Sequence, residues 1–301
     1  MKLHHLRDLL AVVEKGSIRA AAKHLGLGQP ALSRSLRDLE QELGVPLLER
    51  RARGAVLTEM GEMFSRRAGA AFNELNRARE EIAQHQGEVQ GRIVTCLSSL
   101  SHIALLPAAL TPFRKRYPLV ELGIIEGTYP MVERRLVDGT IDFFVGPLRN
   151  PVIAPGLRLE KLFDNHRVVV ARKDHPLQNA TSLAELIESD WITTSITNDP
   201  EAEFNDLFLS HGLPPPRLGL RAETFLTMLV GMISTDMLAI APRQYARSPL
   251  VADFVRQIPV REKLAGPSLF LIQRAAIPLT PAAEYLTDLL RRAAGKQVQA
   301  E

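Results

Sequence analysis

The sequence predicts an α/β chain in three parts: a winged helix-turn-helix (residues 1–58), a linker helix (59–90) and a two-lobed α/β region (91–301). Three observations carry this expectation. Two short helices meet across a tight turn and run into a basic hairpin. A proline-free stretch then repeats apolar residues at alternating steps of four and three. From Gly91 onward, strand and helix patterns alternate to the end.

The first part rests on "SIRAAAKHLGLGQPALSRSLRDLEQELGVPLLERRARGAVLT", Ser17 to Thr58. Ser17 is placed to cap a helix, because its hydroxyl can accept an orphan amide of the first turn. Ile18, Ala21, Ala22 and Leu25 then share one face, and their small size lets another helix approach. Gly26 suits the left-handed residue that ends a helix, and Pro30 suits the first turn of the next. The join is that of a helix-turn-helix. In the second helix Leu32, Leu36, Leu39 and Leu43 form a stripe that must face a core. At about 100° per residue, Pro30, Ser33, Arg34 and Arg37 gather on the opposite face, with Gln29 at the helix entrance. Arg can pair with guanine, Gln with adenine, and Ser with base edges or phosphate.

A lone amphipathic helix with a solvated polar face would look the same; the next segment separates the two readings. Leu47 and Leu48 precede Arg50, Arg51, Arg53 and Gly54, and Val56 and Leu57 return, so a short hairpin with a basic tip is expected. Such a wing adds phosphate contacts to the base contacts of the helix. Charge alone argues weakly, since residues 1–60 hold ten Lys and Arg against seven Asp and Glu. "GLGQPA" matches a dinucleotide-binding fingerprint, but that fingerprint follows a strand, and here an Ala-rich helix precedes it.

These residues resemble the N-terminus of LysR-type transcriptional regulators, in which "FSRAA.HL..SQPALSR.I..LE..LG..LF.R" recurs. Ser17, Ala20, Ala21, His24, Leu25, Gln29, Pro30, Ala31, Leu32, Ser33, Leu39, Glu40, Leu43, Gly44, Leu47 and Arg50 stand in register with it. Ile18, Gly28 and Leu48 depart from the commoner Phe, Ser and Phe, and Arg51 stands beside Arg50. The layout of the remaining chain extends the resemblance over nearly all of it. The resemblance implies a homodimer or homotetramer on a double-stranded operator, a small-molecule effector in a two-lobed domain, and RNA polymerase as a further partner.

At 301 residues with 46% hydrophobic content the chain can bury more than one core. Arg7, Asp8, Glu14 and Lys15 interrupt the first apolar run, so neither a signal peptide nor a membrane helix is expected, and a cytoplasmic location is. Cys96, the single cysteine, lies in the apolar run "RIVTCL" and reads as a buried small side chain. The eight histidines lack metal-ligand spacing, and neither a nucleophile elbow nor a P-loop is present. No catalytic residue, metal or cofactor is expected.

From Thr58 to Gly87, Phe64, Ala68, Ala71, Leu75, Ala78, Ile82, His85 and Val89 step by 4, 3, 4, 3, 4, 3 and 4. That narrow heptad seam, flanked by Arg66, Arg67, Glu74, Arg77, Arg79, Glu80 and Glu81, suits a second long helix better than a globular core. A helix packed on its own domain is the competing reading. In the family this chain resembles, linker helices pair between two subunits.

The third part reads as strands "RIVTCL", "VELGII", "IDFFVG", "HRVVVARKDHP", "WITTS", "RLGLRAE", "MLAIAP" and "SLFLIQR". Helices are expected at Ala104 to Phe113, over "MVERRLVDG", at Leu183 to Ile187, Glu201 to Ser210, Thr227 to Ile233, and after Pro281. The spacing is that of parallel sheets. Lobes of about 91–163 plus 267–301, and 164–266, with crossings near Phe163 and Gly266, would match the implied effector domain, which has the fold of periplasmic solute-binding proteins (type 2). Ligands of open parallel sheets sit beyond the carboxyl ends of strands. Ser98, Ser99, Ser101, Thr128 and Gly146 fall there in one lobe, and Thr194 and Thr224 could face them from the other. Each could equally be a helix cap. With no Arg or Lys in the set, the effector's charge stays open, and helix amides could hold a small organic acid. The competing functional readings are a solute-binding or transport protein with an unrelated N-terminal adaptor, and an enzyme; for the latter only hydroxyls are evident at the strand ends.

Overall fold

The computed structural model describes residues 1–51, 54–87, 90–194 and 200–299. The chain divides into two compact units, an N-terminal one and a C-terminal one.

In the N-terminal unit, α1 (Leu3–Lys15), α2 (Ile18–Leu25) and α3 (Gln29–Leu43) are followed by β1 (Leu48–Arg51), β2 (Gly54–Leu57) and α4 (Glu59–His85). Ser17 caps α2, accepting from the Ala20 amide at 3.1 Å. Gly26 ends that helix at φ 66°, in the left-handed region that a side chain would strain. α1 has no counterpart among the helices expected from the sequence; it supplies Leu9 and Val12 to a core with Ala21, Ala22, Leu32, Leu36, Leu39 and Leu47. Leu43 departs from the expected stripe: it is 37% exposed, because Gly44 turns the chain away and Leu47 takes the core position instead. β1 and β2 pair antiparallel, with Arg51 opposite Gly54. Arg53 lies outside the described residues.

Thr58 caps α4, accepting from the Gly61 amide at 2.9 Å and donating to the Pro46 carbonyl at 2.8 Å. Gly61 has no room for a side chain, since a Cβ there would overlap the Leu47 carbonyl oxygen. The first two positions of the expected seam are turned inward: Phe64 packs on the N-terminal core and Ala68 is buried. Ala71, Leu75, Ala78, Ile82 and His85 are exposed, and Val89 lies outside the described residues.

The C-terminal unit continues with β3 (Gln90–Leu97), α5 (Ser99–Ala104), α6 (Leu106–Arg116), β4 (Leu119–Glu126), α7 (Tyr129–Val137), β5 (Phe143–Pro147), β6 (Leu157–Phe163) and β7 (His166–Arg172). After a single 3-10 turn at Ala184–Leu186 come β8 (Asp190–Thr194), α8 (Pro200–Ser210), β9 (Arg217–Ala222), α9 (Phe225–Ser234) and β10 (Leu238–Pro242). α10 (Arg243–Arg247), β11 (Val255–Ile258), β12 (Leu264–Ala265), β13 (Leu269–Arg274) and α11 (Pro281–Gln299) complete it. The helix expected from Ala104 to Phe113 is α6, which starts at Leu106 with Pro107 in its first turn, where the missing N–H costs nothing; α5 before it has no counterpart among the expected helices.

One sheet has the order β4-β3-β5-β13-β6 and the other β11-β7-β10-β8-β9, with β12 on β7. The chain therefore passes between sheets after Phe163 and returns after Ala265. β3 with β4 and β5, and β8 with β9 and β10, are parallel, as the helix-strand spacing predicts. The sheets as wholes are mixed, however. β7 and β13, the first strands after each crossing, run antiparallel to their neighbours. One apolar cluster, including Leu100, Phe143, Phe163, Val170, Ile192 and Tyr245, draws on strands of both sheets.

Candidate functional site

Two surfaces concentrate the residues singled out in the sequence. On α3, Gln29, Pro30, Arg34 and Arg37 are exposed and Ser33 is half-buried, on the side away from Leu32, Leu36 and Leu39. Arg37 bonds back to the Ser33 carbonyl through Nε at 3.2 Å. Gly28, at the entrance, supplies no side-chain cap, so no side chain at that position offsets the positive end of the helix. Glu40 has a role the sequence does not reveal. Its Oε1 accepts the amides of Leu47 and Leu48 at 2.8 and 3.0 Å, which ties the start of the wing to the recognition helix. Arg50 and Arg51 sit on β1, on the wing itself.

The second surface is a cleft of about 480 Å³ inside the C-terminal unit, lined from both lobes. Ser98, Ser99, Thr128, Thr194 and Thr224 all line it. Ser101 and Gly146 do not. Ser101 is fully buried and donates to the Val145 carbonyl at 2.8 Å. With that proton committed, the 3.0 Å contact between Ser98 and Ser101 hydroxyls has Ser98 donating, while Ser98 Oγ accepts the Ser101 amide. The Ser101 hydroxyl thus pins α5 to β5, and the Ser98 hydroxyl caps α5. Gly146 lies within β5 opposite Phe270, and the space a side chain would need is filled by the Phe144 ring. Thr224 caps α9, accepting from the Thr227 amide at 3.2 Å. Ser99 is the serine left facing the cleft, and it donates to Glu126 at 2.7 Å.

The cleft also holds Glu126, Asn165, Arg167, Glu203, Glu223 and Tyr245, none of which the sequence pattern picks out. Arg167 shows why. An all-parallel sheet would put the start of β7 at the end remote from ligands. Because β7 is antiparallel to β10, Arg167 stands opposite Pro242, at the carboxyl end of β10. Its guanidinium donates to the Ala265 carbonyl at 2.9 Å and to Glu203 at 3.2 Å, and Arg149 pairs with the same carboxylate. Desolvation by burial pulls its basicity down and Glu203 opposes the shift. The only signal in the sequence was an arginine at the start of an apolar strand.

Cys96 is buried, and burial pushes its thiol up to about 12, far from a reactive thiolate. Among the described residues no group of His, Cys, Asp and Glu could hold a metal ion, and no helix is long and apolar enough to cross a membrane.

Comparison with known proteins joins the two surfaces. Residues 3–62 match the family described as "Bacterial regulatory helix-turn-helix protein, lysR family", and residues 86–295 match the "LysR substrate binding domain". The regulator TdcA of Escherichia coli is 25% identical over 290 residues, covering 96% of this chain and 92% of that one. GbpR of Azospirillum brasilense is 26% identical, covering 99% and 88%. The crystal structure of CbnR, a LysR family transcriptional regulator, has a TM-score of 0.69 at 22% identity and covers 98% of this chain and 99% of its own. Full-length CbnR in complex with its target DNA gives 0.69 at 23% identity, covering 97% and 100%. The chain belongs to the LysR family of bacterial transcriptional regulators: it binds DNA through the winged helix-turn-helix and carries a substrate-binding effector domain. Its relatives are regulators, not enzymes, and one family accounts for both ends of the chain, which sets aside a solute-binding protein with an unrelated adaptor.

Proposed function

We propose that a small molecule binding between the lobes controls how this regulator sits on its operator. The observation that carries the reading is the cleft, whose volume of about 480 Å³ falls in the usual range for small-ligand sites. Ser99 and Thr128 contact the effector from one lobe, and Thr194 and Thr224 from the other. A ligand touching both lobes favours one lobe arrangement and shifts the population by no more than its differential affinity. Gln29, Pro30, Ser33, Arg34 and Arg37 face the major groove, with Arg50, Arg51 and Arg53 on flanking phosphates. The exposed part of the α4 seam, Ala71, Leu75, Ala78 and Ile82, pairs with the same helix of a second subunit, supported by the heptad spacing and by the exposure of these residues. The resulting dimer, alone or as a pair of dimers, acts on RNA polymerase in the cytoplasm.

A thermal-shift screen of small acids, amines, sugars and nucleosides tests the cleft, since a ligand of the folded state raises its melting temperature by mass action. Ser99→Ala with Thr128→Val is expected to weaken the hit, each lost hydrogen bond costing about 0.5 to 1.5 kcal/mol, while leaving the unliganded fold intact. Titration calorimetry showing unmutated affinity in the double variant would place the site elsewhere.

A further inference from the structure

We infer that the effector of this cleft carries an ammonium group. The inference rests on the cleft being the effector site and adds the chemistry of its occupant. Among the described residues the walls present three carboxylates, Glu126, Glu203 and Glu223, against one guanidinium, Arg167. That guanidinium is already engaged by Glu203 and the Ala265 carbonyl, and Arg149 adds a second cation to Glu203. Among the described residues of the walls, a ligand therefore meets no free positive side chain.

The other two carboxylates are differently placed. Glu126 ends β4 in one lobe and receives a neutral donor, the Ser99 hydroxyl, at 2.7 Å. A carboxylate has about four acceptor positions, so most of Glu126 stays open. Glu223 follows β9 in the other lobe and has no hydrogen bond or ion pair among the described residues. Each lobe thus brings one uncompensated carboxylate to a cleft whose apolar walls concentrate the field.

An independent observation points the same way. Asn165 lines the cleft, is 3% exposed, and its Oδ1 has no hydrogen-bond partner. A buried acceptor left unmade is costly, and a rotation of the amide that turns Oδ1 toward a ligand donor in the cleft removes that cost. An ammonium offers three donors and no acceptor, the complement of two carboxylates and an amide oxygen. A cation between the lobes also attracts Glu126 and Glu223 together, so it favours the arrangement in which both approach it. A simple carboxylate would meet two bare carboxylates with no cation to receive it.

The test uses the full chain and two matched sets of probes: short linear diamines and the L-amino acids, against dicarboxylates of the same lengths and the 2-oxo acids that match the amino acids. At least one amino compound is expected to raise the melting temperature and bind in calorimetry, and its non-amino counterpart to do neither. Glu126→Gln combined with Glu223→Gln is expected to weaken that compound about tenfold or more, as loss of charge-assisted bonds does. Both side chains are exposed, so the variant's own melting temperature should stay put. Binding confined to compounds without an amino group, and weakened by Ser99→Ala with Thr128→Val, overturns the inference and leaves the cleft as the effector site. Equal affinity of an amino compound for the Gln variant also overturns it. Binding by no probe in either set removes both readings.

Discussion

Replacing Gly61 with alanine should unfold the N-terminal unit and abolish DNA binding while the C-terminal unit keeps its own melting transition. Gly61 stands in the first turn of α4, where Thr58 holds the backbone through its hydroxyl at 2.9 Å. That hold presses Cα against the strand entering the wing, and an added Cβ would overlap the Leu47 carbonyl oxygen. The obstacle is backbone, already fixed by the bond from the Thr58 amide at 3.0 Å and by Glu40, so it cannot swing aside as a side chain would. Overpacking of this kind costs about 1 to 3 kcal/mol and more where backbone must shift. A domain of this size has little stability to lose. Calorimetry of the full chain should show the N-terminal unit's transition displaced or missing; a melting profile and DNA affinity matching the unmutated protein would contradict this packing.

Leu75→Asp should break the proposed pairing of α4 between two subunits and with it operator binding. Within one chain Leu75 is 47% exposed and Ile82 is 60% exposed, so a carboxylate at 75 harms the isolated chain little. In a seam between two helices the same carboxylate is desolvated without a partner, at a cost of several kcal/mol. Operator affinity should then fall although no DNA contact has changed, because two half-sites are held only by a paired protein. Light scattering should report the monomer mass. Unchanged mass together with unchanged affinity would show that this face of α4 is not the interface.

Local chemistry was legible in the sequence wherever it depended on neighbours along the chain. Ser17 and Gly26 cap α2 as their spacing requires, and Leu32, Leu36 and Leu39 are buried as their periodicity requires. Strand direction was not legible, because an alternating or apolar run reads the same in either orientation. That gap hid the antiparallel β7 and β13, and with them the placement of Arg167 and Asn165 in the cleft. The serines after β3 illustrate a second gap. All three follow a strand end, yet Ser101 turns inward to Val145, a partner 44 positions away that no local pattern reveals. Phe64 and Ala68 show a third: a heptad seam gives the face of a helix and leaves open whether its own domain or a partner covers it.

We propose that α3 reads base edges through the face bearing Arg34, and selection of bound sequences from a random duplex pool checks this. The unmutated protein should enrich a motif of two half-sites. Arg34→Ala should enrich a motif degenerate at one base pair of each half-site, with a loss of about 1 to 3 kcal/mol on the original sequence and less on random DNA. The same motif enriched to the same degree by both proteins would contradict the claim.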